Sequence, residues 1–85
     1  MSEIREHRVK RLRMRSMRRG IKEMDLILDS YAERNLHVMD DATMDLYDAL
    51  LHENDQDLYQ WVTGQVPTPE LYGALVHDIS QTFQK

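Results

Sequence analysis

Eighty-five residues make room for one domain, and the absence of Cys removes disulfides, thiolate zinc sites and thiol nucleophiles. A composition of 41% hydrophobic and 31% charged residues, with three Gly and two Pro, suits a soluble helix-rich domain and argues against disorder or a many-turned β fold. No apolar run approaches the roughly 18 residues of a membrane span, and a chain this short has little room for a deep active site with its own cofactor cradle.

The formal net charge of −4 hides an asymmetry. Residues 1–22 carry nine bases against Glu3 and Glu6, a net of +7, while residues 23–85 carry two bases against thirteen acids, a net of −11. Such a split predicts one electropositive face on an acidic body, able to orient the chain on a partner. The Arg-rich start has Ser16 as its one internal Ser and includes two acids. It therefore reads as part of the mature fold rather than as an organelle presequence, and the expected location is the cytoplasm.

The first predicted helix covers residues 4–17, with sparse apolar positions at Ile4, Val9, Leu12, Met14 and Met17 and Arg filling much of the rest. Arg18 and Arg19 fall at its C-terminal end, where the macrodipole favours cations, and Gly20 makes the break. Residues 21–34 form a second helix: Ile21, Met24, Leu28 and Tyr31 recur at helical spacing beside Ile27, and Glu23 and Asp25 sit in its first turns. After a connection over 35–39, Asp40 or Asp41 caps a third helix reaching residue 53. Its inner face is Met44, Tyr47, Leu50 and Leu51, with Asp45 and Asp48 leaning towards solvent.

Asn54 and Asp55 start a short fourth helix with Leu58, Trp61 and Val62, which Gly64 stops. Thr68 then caps a fifth helix, with Pro69 at its first position and a stripe of Tyr72, Leu75, Val76, Ile79 and Phe83. Five helices with tight links predict an all-α, compact antiparallel bundle forming a single domain over residues 1–85.

Several chemistries find no support. His7, His37, His52 and His77 never pair at the spacing that puts two ligands on one helix face, so they read as surface or partly packed imidazoles. Asp55-Gln56-Asp57 starts like a calcium loop, but Tyr59 occupies the third ligand position and the turn Gly is missing. No Gly-rich phosphate loop is present, and no metal or catalytic residue is predicted. Arg8, Arg11, Arg15, Arg18 and Lys22 come round at helical spacing and would suit nucleic acid. The acidic remainder and the lack of aromatic residues in the basic segment weigh against that use.

One stretch stands out: Arg18-Arg19-Gly20-Ile21-Lys22-Glu23-Met24-Asp25. Helix-end electrostatics account for its charges. A Gly corner also leaves backbone uncovered for a partner, and flanking Arg residues offer fork-shaped donors to carboxylates. The stretch resembles the R-G-x-x-E signature of the succinate dehydrogenase flavinylation factors, small helical proteins also called FAD assembly factors. A second block, Leu50-Leu51 followed by Asp55, Asp57-Leu58-Tyr59 and Trp61, is similar to that family's segment between its third and fourth helices.

The resemblance covers about residues 10–64 with no departure in either block. It implies a non-enzymatic chaperone that binds the flavoprotein subunit of succinate dehydrogenase, and in some bacteria that of fumarate reductase. Family members promote covalent attachment of FAD to a His of that subunit. FAD then belongs to the partner, and the chain needs no cofactor of its own and no membrane insertion. By carry-over the partner-binding residues are Arg19, Gly20 and Glu23, flanked by Arg18 and Asp25, and the missing presequence points to a bacterial cytoplasmic member. The competing readings are a nucleic-acid-associated helical protein using the basic first helix, and a small regulatory subunit of some other enzyme.

Overall fold

A computed structural model describes residues 4–17 and 20–83. Five α-helices and two 3-10 turns occupy them, with no strand among the described residues. In chain order they are α1 (Arg5–Ser16), α2 (Lys22–Asn35), a turn (Leu36–Val38), α3 (Asp41–Leu50), α4 (Asp55–Val62), a second turn (Glu70–Tyr72) and α5 (Gly73–Phe83). The all-α class and the five helices agree with the sequence pattern.

The core is a single cluster fed by every helix. From α2 come Met24, Ile27, Leu28, Tyr31 and Ala32, the stripe that the spacing predicts. Met44, Tyr47 and Leu50 enter from α3, Leu58 and Val62 from α4, and Leu75, Val76 and Ile79 from α5. Each fully buried aliphatic side chain contributes about 1.5–3 kcal/mol. Tyr31 and Tyr47 meet at the centre with ring centroids 5.8 Å apart, and Trp61 stacks on Tyr72 at 6.0 Å where α4 faces α5.

Caps form where polar residues precede the stripes. The Thr43 N–H donates to Asp40 Oδ1 at 2.8 Å to open α3, and the Gln56 N–H donates to Asn54 Oδ1 at 2.8 Å to open α4. Gly64 ends α4 at φ 80°, a left-handed conformation that favours Gly. There Gln65 N–H donates back to the Gln60 carbonyl at 2.9 Å and Gly64 N–H to that of Trp61 at 3.2 Å, the double closure of a Schellman motif.

The helix limits depart from expectation in three places. Residues 51–53 do not extend α3: His52 and Glu53 donate three residues back, to Ala49 and Leu50, tightening the chain out of the α-helix. Residues 36–38 form a 3-10 turn that buries Leu36 completely. And α5 starts at Gly73, not at Pro69, whose ψ of 143° is extended. The chain reaches α5 through the turn that tucks Tyr72 beneath Trp61, where the Tyr72 hydroxyl donates to Glu53 Oε2 at 3.0 Å. Phe83, expected on the inner stripe, ends α5, and its side chain lies outside the described residues.

The largest difference concerns α1. Of its five expected apolar contacts only Leu12 is fully buried and Val9 partly so, while Ile4, Met14 and Met17 are 62%, 46% and 47% exposed. Ser16 takes the remaining inward position. Its hydroxyl donates to the Leu12 carbonyl at 2.8 Å and shares a 2.6 Å hydrogen bond with the Tyr47 hydroxyl, so its burial leaves no polar atom unsatisfied.

Candidate functional site

Five Arg residues of α1 face their own molecule. Arg5 pairs with Asp41 at 2.9 Å, Arg8 with Asp45, and Arg11 with Asp48 at 3.2 Å. Arg8 and Arg15 also approach Asp48, at 3.8 and 3.5 Å. Pairing numbers climb together along both elements, so α1 and α3 run in the same direction. Arg15 additionally donates to the Leu51 carbonyl at 3.4 Å, placing a cation at the negative end of α3. On the other flank Arg13 reaches Asp29 at 3.2 Å and Glu33 at 3.7 Å of α2.

The expected electropositive face is therefore corrected at Arg5, Arg8, Arg11, Arg13 and Arg15, whose charges are met by carboxylates of α2 and α3. Asp48 likewise does not lean into solvent. Its side chain is 23% exposed, within reach of Arg8, Arg11 and Arg15. The stripe that would have gripped a phosphate backbone is engaged internally at Arg8, Arg11 and Arg15. Asp41, Asp45 and Asp48 recur about once per helical turn, as do Arg5, Arg8 and Arg11, and that recurrence was the available signal.

Beyond the end of α1 the chain turns through Gly20 into α2. Arg18 and Arg19, the first two of the five predicted partner-binding residues, lie outside the described residues. Gly20 and Glu23 are exposed and Asp25 is half-buried. Glu23 and Asp25 fall in the first turn of α2, whose start lacks a side-chain cap, so their charges face the positive end of the helix.

Gly20 is not required by its backbone angle, since Gly64 alone among the described residues has positive φ. A side chain there would be crowded on one side. The Gly20 N–H donates to the carboxylate of Asp55, first residue of α4, and a Cβ at position 20 would stand 3.0 Å from that Asp55 Oδ2. The two stretches that carry the family resemblance thus touch across 35 positions of chain. Sequence reading placed Asp55 as a helix start and in the second family block, not as a partner of Gly20. Nothing local distinguishes an Asp that opens a helix from one that also holds a distant amide.

The remaining candidates stay apart from this corner. His7, His37, His52 and His77 are all exposed. Among the described residues no group of three or more His, Asp or Glu side chains is placed to hold a metal, and no helix is long and apolar enough to cross a membrane. One open surface hollow, of about 340 Å³, is lined by Tyr31, Asn35, Met39, Asp40 and Asp78 among others, and another, of about 380 Å³, by Arg5, Glu6, Val9 and His37. Neither takes a residue from the corner.

The described residues form a small all-α fold with Gly20 exposed just before α2 and Glu23 exposed in its first turn. The model of one family, described as flavinator of succinate dehydrogenase, matches residues 10–83, and the chain belongs to that family. Similar proteins include "Succinate dehydrogenase assembly factor 2, mitochondrial" of Danio rerio, 38% identical over 78 residues that cover 89% of this chain and 49% of the relative. The protein of the same name from Mycosarcoma maydis is 40% identical over 68 residues, 80% of this chain and 29% of the relative. That of Candida glabrata is 46% identical over 63 residues, 71% and 41% respectively.

The chain thus spans about half the length, or less, of the curated relatives it matches. The expectation of a bacterial cytoplasmic protein is corrected by the same finding: these relatives are eukaryotic and named mitochondrial. That expectation rested on the composition of the first residues, which is no test of compartment for a chain covering only part of its relatives.

Proposed function

We propose that residues 1–85 act as one assembly-factor domain that binds the flavoprotein subunit of succinate dehydrogenase and promotes its covalent flavinylation. The observation that carries this reading is family membership over residues 10–83, together with exposure of Gly20 just before α2 and of Glu23 in its first turn, both in the R-G-x-x-E motif. Arg18, Arg19, Gly20, Glu23 and Asp25 form the docking corner. Exposed backbone at Gly20 lets the client approach, and the flanking Arg and acidic side chains supply paired charges to it.

FAD stays with the client in this reading, and the chain contributes by positioning rather than by chemistry of its own. Holding two reacting groups in attack geometry removes an entropic part of the barrier without any catalytic side chain on the factor. The flavoprotein subunit of fumarate reductase, built for the same class of flavin attachment, is the second client to try.

The test is production of the flavoprotein subunit in cells deleted for their own member of this family, with and without this chain, reading covalent flavin by fluorescence in a denaturing gel. Flavin should appear with the intact chain. It should be lost with Gly20→Arg, whose circular dichroism should stay helical, because position 20 is exposed and the clash falls on the movable end of Asp55. Equal flavin with and without the chain would reject the reading.

A further inference from the structure

We infer that Asp55 is a positioning residue for the docking corner: its carboxylate, carried on the head of α4, holds the Gly20 amide and so sets the position of Gly20 at the entry to α2. The inference rests on the docking role proposed above and adds to it a residue outside the motif.

Three observations converge. First, the hydrogen bond from Gly20 N–H to Asp55 Oδ2 is charge-assisted, the stronger class of amide contact. Second, it joins two parts of the chain that are distant in sequence. Asp55 is anchored because it opens α4, whose Leu58 and Val62 are buried in the common core, and α4 packs on both α2 and α5. Gly20, by contrast, is exposed, as is Met17 at the end of α1. A bond from the anchored element to the exposed turn transfers rigidity in one direction, from core to corner.

Third, the bond explains the Gly. An exposed position with no positive φ would ordinarily accept any small residue, and helix-end electrostatics do not ask for Gly there. What the position lacks is room on the side facing Asp55, where an added Cβ would come within 3.0 Å of the accepting oxygen. Gly20 and Asp55 therefore form one unit: the missing side chain lets the carboxylate reach the amide. The N-terminus of α4 is also a favourable place for the negative side chain of Asp55.

The consequence is a defined pattern of coupling. Asp55→Ala removes the acceptor and frees the turn. Asp55→Asn keeps an oxygen at the same place and should preserve most of the effect. Gly20→Ala displaces the carboxylate and should do to the corner what Asp55→Ala does, so the double variant should be no worse than either single one.

The experiment has two readouts on the intact chain. Hydrogen exchange of the Gly20 amide, followed by NMR on the free protein, needs no client. It should be slow in the wild type and in Asp55→Asn and fast in Asp55→Ala, with the amides of Leu28 and Ile79 unchanged as a control for folding. Affinity for the purified flavoprotein subunit should then fall about tenfold in Asp55→Ala, the loss of a hydrogen bond to a charged group, and stay within about twofold of wild type in Asp55→Asn.

Gly20 exchange unaffected by Asp55→Ala would overturn the contact itself. A freed amide with unchanged affinity, while Gly20→Arg abolishes binding, would show that the corner docks without being held and would overturn the positioning role. Additive losses in the double variant would also contradict it. Failure of the wild type to bind the subunit at all, with the exchange pattern as described, would remove the docking reading and this role with it, and would be recognisable as that failure because the free-protein result stands apart.

Discussion

Helices α1 and α2 meet at one turn yet are attached to the molecule by opposite means. Five side chains of α2 are buried, two of them, Met24 and Leu28, with no exposed surface. Helix α1 buries only Leu12 and Ser16 fully and is fastened along its length by guanidinium–carboxylate pairs to α3 and α2. The contrast shows that a run of Arg residues can serve the fold: Arg5, Arg8, Arg11, Arg13 and Arg15 all pair with carboxylates of the same molecule. A charge-rich helix with a thin apolar stripe can use those charges to hold its own fold, and the proposed docking corner lies where the two kinds of attachment meet.

The largest effect that would sharpen the contrast lies in α2. Leu28→Ala should cost about 3 kcal/mol, a buried Leu lost with partial collapse of the cavity, and the cost should hardly change with salt. Urea unfolding at low and high NaCl measures both.

Asp48→Asn comes next. Removing the carboxylate shared by Arg8, Arg11 and Arg15 should cost about 1–2 kcal/mol at low ionic strength, since the site is partly exposed but serves three partners. The difference from wild type should shrink towards 1 M NaCl, where charges are screened within about 3 Å. A cost equal at both salt concentrations would mean that α1 is held by packing after all.

Tyr31→Phe should have a smaller effect at neutral pH, about 1 kcal/mol for the hydroxyl that donates to Asp78 Oδ2 at 3.0 Å. Its signature is in alkali. Burial first, then the hydrogen bond and charge of Asp78, push the Tyr31 phenol well above its usual value. A group raised in this way stabilises the fold fully below the unfolded value, about 10 for Tyr, and that stability drains away as pH rises beyond it. Tyr31→Phe should flatten the alkaline decline. Tyr72, raised by burial and by its bond to Glu53, should leave part of the slope in place.

How much of this was legible in the sequence follows the range of each interaction. The stripes of α2, α3 and α4 and the stop at Gly64 are local patterns of period or backbone angle, and they stand as read. The start of α5 was displaced because Pro69 followed by a good helical stripe looks like a first turn. Stacking of Tyr72 on Trp61 is what draws residues 70–72 into a 3-10 turn first. Met14 and Met17 were counted as inward by spacing alone, whereas tertiary packing gave that side of α1 to Leu12 and Ser16.

The candidate site divides in the same way. The motif residues were visible as a string, but the contact from Gly20 to Asp55 spans 35 positions and no local rule announces it.

The most direct test of the central claim, that the corner and not the basic face of α1 is the working surface, is the affinity of the chain for the purified succinate dehydrogenase flavoprotein subunit. Titration would compare the wild type with Gly20→Arg and Asp48→Asn, each confirmed helical by circular dichroism. The account predicts that Gly20→Arg abolishes measurable binding while Asp48→Asn stays within about threefold of wild type, under 1 kcal/mol. Binding kept by Gly20→Arg and lost by Asp48→Asn would contradict it and return the function to the charged face of α1.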